Sequence, residues 1–172
     1  MDSRVTVIMI DDHPIVRAGM RSVLELDEDI HVLAEGGSAA EALELVEEHQ
    51  PDVLVLDINL PDQSGLEVVR QLQDRVTSTA ILALTAHDDP EMIFGLLESG
   101  ATGYVLKDEA LETLANAVCA TARGESWLSP SVASQVVRRA VAKKSPQPEA
   151  STAEGESLTP REMEVLCLLA QG

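Results

Sequence analysis

The 172-residue sequence predicts an α/β domain: a parallel β-sheet covered on both faces by helices, followed by a smaller helical appendage. Three observations lead there. Five short runs are rich in β-branched residues, each is apolar at consecutive positions rather than alternating ones, and longer segments of helical period separate them. Strands apolar on both faces are buried on both faces, and helices between them act as crossovers, so the strands run parallel.

The elements follow in order. VTVIMI (5–10) is the first strand, and Pro14 opens a helix at a position where a missing N–H costs nothing; Ile15, Val16, Met20, Val23 and Leu24 form its apolar face. IHVLAE (30–35) is the second strand. Ser38 and Glu41 fit a capping box before Ala42, Leu43, Leu45 and Val46. DVLVLD (52–57) is the third strand, and Gly65 precedes a helix carrying Leu66, Val69 and Leu72. AILALT (80–85) is the fourth, with Asp89 and Pro90 starting the next helix. GYVLK (103–107) is the fifth, and the helix after it, starting at Asp108 or a neighbour, carries Leu111, Leu114 and Val118 and ends near Arg123-Gly124.

Composition narrows the function. The net charge of -18 lies entirely in the first part: residues 1–128 hold 25 Asp+Glu against 7 Lys+Arg, whereas residues 129–172 hold 5 of each. An acidic surface repels phosphodiester backbones, so the α/β domain is a poor nucleic-acid binder by itself. Phe94, Tyr104 and Trp127 are the only aromatics, which leaves few stacking platforms for bases or flavins. Cys119 and Cys167 form no CxxC pair, so neither a disulfide framework nor a zinc site is expected. No run spans a bilayer or reads as a signal peptide, which makes a cytoplasmic protein without membrane contact the expectation. No GxxxxGK[ST] phosphate loop occurs.

The informative polar residues fall at strand ends. Asp11 and Asp12 follow the first strand, Asp57 ends the third, Thr85 the fourth and Lys107 the fifth. In a doubly wound sheet these ends share one edge, where such folds place their ligands. Three carboxylates crowded together repel unless a cation joins them, and all-oxygen ligation with room for water suits Mg²⁺. A lysine and a hydroxyl beside them can stabilise a transferring phosphoryl group, and a carboxylate next to the metal can act as nucleophile and form an acyl phosphate.

These residues resemble the receiver domain of two-component response regulators over about residues 4–123, through DDH after the first strand, LDINLPDQSG around Asp57, ALTA at the fourth strand and GATGYVLKD at the fifth. The resemblance implies a flavodoxin-like, five-stranded sheet of order 2-1-3-4-5 with five flanking helices. It makes Asp57 the phosphoacceptor and has Asp11, Asp12, Asp57 and the backbone carbonyl of Asn59 hold Mg²⁺. It also sets Thr85 and Lys107 against the phosphoryl group, and makes Thr85 and Tyr104 a switch pair. Asn59 and His87 stand where the family tunes phosphate lifetime. Asp108 replaces the proline that many receivers carry after the lysine. His13 is expected at a helix start, and no histidine here is a phosphate donor.

Beyond the receiver, taken as residues 1–124, residues 125–157 are expected to be a helix starting at Ser129-Pro130 and then a flexible linker. LTPREMEVLCLLAQG, within residues 158–172, resembles the opening helix of the LuxR-type helix-turn-helix, and a receiver followed by that domain defines the NarL/FixJ family. The implied function is phosphorylation-controlled transcription. A sensor histidine kinase is the donor, a homodimer is the assembly, and DNA is the target of a longer parent but not of this chain, which lacks the recognition helix. Two other readings use the same residues. A haloacid-dehalogenase-like phosphatase also has a strand-end aspartate and Mg²⁺, although Asp57-Ile58-Asn59 lacks the second acid of its DxD motif. In a phosphate-independent interaction module the acidic cluster only shapes a surface.

Overall fold

A computed structural model of the protein describes residues 4–75, 78–86 and 89–144, without the side chains of residues 139, 140 and 142–144. His87, the expected linker over 145–157 and the expected helix over 158–172 lie outside the described residues. The first half runs β1 (Val5–Ile10), α1 (Pro14–Leu24), β2 (Ile30–Gly36), α2 (Ala39–His49), β3 (Val53–Asp57) and α3 (Gly65–Asp74). The second half runs β4 (Ala80–Thr85), α4 (Pro90–Glu98), β5 (Gly103–Leu106), α5 (Lys107–Ala122), β6 (Trp127–Leu128) and α6 (Pro130–Lys144).

The strands form one parallel sheet of order β2-β1-β3-β4-β5-β6. The expected 2-1-3-4-5 order is present, and β6 adds a sixth strand of two residues beside β5. Alternate residues of each central strand feed two separate cores, as a pleated strand buried on both faces must. Ile8, Ile10, Leu54, Leu56, Ile81, Ala83 and Tyr104 face the layer of α2, α3, α4 and α6. Val7, Met9, Val53, Val55, Leu82, Leu84 and Val105 face α1 and α5. Each such side chain taken from water contributes about 1.5–3 kcal/mol, and none of these central residues is even slightly exposed apart from Ile81.

Local chemistry sets the helix ends. Ser38 Oγ accepts the Glu41 N–H (3.2 Å), and the Glu41 carboxylate reaches back to the Gly37 N–H (2.8 Å), a capping box displaced by one residue. Asp89 caps α4 through the Glu91 N–H (3.0 Å), with Pro90 in the first helical position. α2 stops where Gln50 takes φ 46° and Pro51 follows.

Two residues assigned to apolar helix faces are not in the core: Ile15 is 87% exposed and Leu111 57% exposed. Helical period defines a stripe but not which of its positions the sheet covers. α5 begins at Lys107, so the lysine is the first helical residue rather than the last of the strand. The extra helix α6 starts at Pro130, where the Ser129-Pro130 signal places it, and it packs on the receiver itself, burying Val132 and Val136 in the α4 layer.

Candidate functional site

At the C-terminal edge of the sheet, β1, β3, β4 and β5 end side by side. The register pairs Ile10 with Leu56, Asp57 with Leu84 and Thr85 with Leu106, so Asp11, Asp57, Thr85 and Lys107 occupy neighbouring ladder ends. Tyr104 lies two residues back on β5, opposite Ala83, and is fully buried.

Asp57 and Asp11 have no exposed surface, whereas Asp12 is partly open. Asp57 Oδ1 accepts the Asn59 N–H at 3.0 Å, and Asp57 Oδ2 accepts from Lys107 Nζ at 2.7 Å. The same ammonium lies 2.7 Å from Asp11 Oδ2, so one cation bridges two buried carboxylates. Asp11 Oδ1 accepts the His13 N–H (2.8 Å), and His13 Nδ1 stands 2.6 Å from Asp12 Oδ1.

Burial pushes the Asp57 carboxyl above the usual range, reinforced by the neighbouring charge of Asp11; the bonds from Lys107 and the Asn59 N–H oppose this without reversing it. Burial alone would lower the Lys107 pKa, but hydrogen bonds and charge pairing with Asp11 and Asp57 raise it. The lysine is therefore a fixed positive charge. Asp57 is an aspartate whose negative charge the protein tolerates only in company.

A small divalent cation fits this set. One ligand atom from each of Asp11, Asp12, His13 and Asp57 lies within 4.8 Å of all the others. Two of the buried carboxylate oxygens, Asp11 Oδ2 and Asp12 Oδ1, receive no aligned hydrogen bond although Lys107 and His13 stand close by. Carboxylate groups gathered this closely are what a hard cation requires.

The surrounding loops are braced. Ile58 N–H donates to Leu84 O (3.0 Å) and Gly65 N–H to Ile58 O (2.9 Å), which holds the backbone behind Asp57. A Cβ on Gly65 would come 2.7 Å from Ile58 Cα and 2.8 Å from Asp57 O, so only glycine fits there without moving the backbone. Arg17 donates through Nη1 to the Asp11 carbonyl oxygen. Asp62, at the tip of the β3–α3 loop, accepts the Ala39 N–H (2.8 Å) and the Ala40 N–H (3.0 Å), tying that loop to the start of α2. These bonds hold its carboxyl below the usual range.

The structure thus brings Asp11, Asp12, Asp57 and Lys107 together and sets Thr85 and Tyr104 on the adjacent strands; Asn59 meets the site through its N–H. Arg17 and Asp62 were not singled out from sequence. The Asp-Gln-Ser-Gly turn signal around Asp62 marks a loop, but its partners are 22 and 23 residues away.

The sequence pattern of the response regulator receiver domain matches residues 7–119. The chain is 34% identical over 137 residues to the transcriptional regulatory protein DegU of Brevibacillus brevis, covering 80% of this chain and 58% of that protein. It is 34% identical over 167 residues to the oxygen regulatory protein NreC of Staphylococcus carnosus (strain TM300), covering 96% of this chain and 77% of that one. Among solved structures, a two-component response regulator of the LuxR family from Aurantimonas sp. SI85-9A1 superposes with a TM-score of 0.77 at 34% identity, covering 81% of this chain and 99% of that one. The chain therefore spans a little over half the length of the first of these relatives and about three quarters of the second.

Proposed function

Because the chain belongs to the response regulator receiver family, in its NarL/LuxR-type branch, we propose that Asp57 accepts a phosphoryl group from a sensor histidine kinase and that this controls transcription through a DNA-binding domain of a longer parent. The carrying observation is the buried Asp57 carboxylate, held by Lys107 on one oxygen and the Asn59 N–H on the other, beside two further aspartates.

Asp11, Asp12 and Asp57, with the Asn59 carbonyl, are the residues that would hold Mg²⁺. When bound, the ion neutralises phosphoryl oxygens and offsets repulsion between the carboxylates. One Asp57 oxygen attacks phosphorus as the P–N bond of the donor phosphoimidazole breaks; the bonding pair leaves with the imidazole nitrogen, which takes a proton from solvent. Lys107 exchanges part of its pairing with Asp57 for a phosphoryl oxygen. Thr85 donates its hydroxyl to another, and Tyr104 follows the space that Thr85 leaves. Water later cleaves the acyl phosphate, with Asn59 and His87 setting how fast. The protein is a signalling protein that takes part in its own phosphorylation and dephosphorylation rather than an enzyme acting on other substrates.

Residues 1–124 act as the receiver, 125–157 as the connection and 158–172 as the start of the helix-turn-helix domain. The working assembly is a homodimer in the cytoplasm. Among the described residues no helix is long and apolar enough to cross a membrane. The phosphatase reading is disfavoured by Asn59, which stands where a second acid would act on the leaving group. The test is incubation with Mg²⁺ and acetyl phosphate, read by intact mass. One added phosphoryl that is absent in Asp57→Ala supports the reading; no labelling under any Mg²⁺ or donor condition refutes it in favour of the phosphate-independent module.

A further inference from the structure

We propose that α6 is the intramolecular occupant of the α4–β5 face, and that phosphorylation of Asp57 releases it. The inference rests on the reading of Asp57 given above.

The chain leaves α5 at Gly124 (φ 79°) and returns immediately to the sheet, where Trp127 and Leu128 pair with Gly103 and Tyr104. The Ser129 N–H donates to the Tyr104 carbonyl oxygen at 3.2 Å. α6 then lies against α4, placing Val132 and Val136, at 0% and 2% exposure, in the same core cluster as Tyr104, Ile93 and Phe94. Ser131 Oγ donates to the Glu109 carboxylate (3.1 Å), which latches the first turn of α6 to α5. Tyr104 thus pairs with Ala83, two residues before Thr85 on β4, and shares its buried cluster with the α6 valines while its carbonyl oxygen accepts the N–H that leads into α6.

Two buried valines one helical turn apart form a narrow attachment. Val141, further along the helix, is 59% exposed. An element held by few apolar contacts belongs to the low-stability end of a fold and opens locally before the rest. Packed interfaces switch between discrete arrangements instead of deforming smoothly. A changed position of Tyr104 therefore costs α6 its seat, and α6 leads directly into the segment beyond residue 144. While α6 is seated, the α4–β5 face is closed to any second chain.

The experiment is hydrogen–deuterium exchange on the 172-residue chain with Mg²⁺, with and without acetyl phosphate, and intact mass taken on the same samples. Peptides from 130–144 are expected to exchange roughly tenfold faster in the phosphorylated chain, with β1 and β3 peptides unchanged and the emission of Trp127 shifted. A second variant, Val136→Ala, is expected to speed α6 exchange without phosphate while leaving Asp57 labelling intact. Mass gain with unchanged or slower α6 exchange overturns this proposal alone. Absence of mass gain overturns the reading of Asp57 and this proposal with it, even where Val136→Ala behaves as expected.

Discussion

Gly65→Ala tests whether the backbone behind Asp57 is as tightly set as the structure shows. The added Cβ would lie 2.7 Å from Ile58 Cα, 2.8 Å from Asp57 O and 3.0 Å from Ile58 Cδ1. Two of these three neighbours are backbone, so relief requires moving α3 or the segment that carries Asp57, and the Gly65 N–H to Ile58 O bond (2.9 Å) resists the separation. Overpacking of this kind costs about 1–3 kcal/mol; two backbone clashes place it near ~2 kcal/mol, or a drop in Tm of about 4–8 °C for a chain of this size. The shift also reaches the nucleophile, and a displacement on the order of 1 Å at a reacting group slows a reaction by about 100-fold. The assays are a thermal melt and the initial rate of acetyl-phosphate labelling by intact mass. Gly95→Ala serves as the control: its Cβ meets only Leu66 Cδ2 at 3.8 Å, inside a helix where alanine is favoured by about 0.5–1 kcal/mol. Gly65→Ala with the melting point and labelling rate of Gly95→Ala would refute the claim that this close approach positions Asp57.

Further outcomes follow from the same geometry. Lys107→Ala leaves the buried Asp11 and Asp57 carboxylates without their shared cation, a loss of about 3–5 kcal/mol for a broken buried pair, discounted because the lysine side chain is 18% exposed; urea unfolding should show the deficit shrinking as pH falls and Asp57 protonates. The raised pKa of Asp57 means its contribution to stability is present below the unfolded carboxyl pKa and lost as pH rises through the folded one. Asp57→Asn should flatten that loss, and wild-type labelling should fall as acid protonates the nucleophile. Asp62 behaves oppositely: its lowered pKa gives stability above the unfolded value that is lost as pH falls through the folded one, so Asp62→Ala and wild type should differ in Tm at neutral pH and converge in acid. Mg²⁺ should raise Tm through binding to the folded state, and chelation should reverse the rise and stop labelling.

Much of this was legible because the physics is local. Strands such as VLVLD announce burial on both faces by continuous apolarity, and a run ending in Asp57, Thr85 or Lys107 at a shared sheet edge converts one-dimensional positions into a cluster. What escaped the sequence depends on distant partners. Asp62 is an ordinary turn residue until α2 is placed against it, and Arg17 an ordinary helix arginine until Asp11 presents its carbonyl oxygen. Trp127-Leu128 is too short to read as a strand, and it becomes β6 only because the Gly103 edge of β5 stands open beside it. Ile15 and Leu111 keep the helical period yet stand exposed. The apolar positions of α6 do not name the surface they pack on, which is the α4 layer that buries Val132 and Val136.

The most direct test of the account is to phosphorylate the protein with acetyl phosphate and Mg²⁺, trap the product with borohydride, which reduces an acyl phosphate of aspartate to homoserine, and sequence the peptides by mass spectrometry. The account requires homoserine at position 57 and nowhere else, appearing only when donor and Mg²⁺ are both present. Homoserine at Asp11 or Asp12 instead, or a chain that stays unmodified throughout, would contradict it.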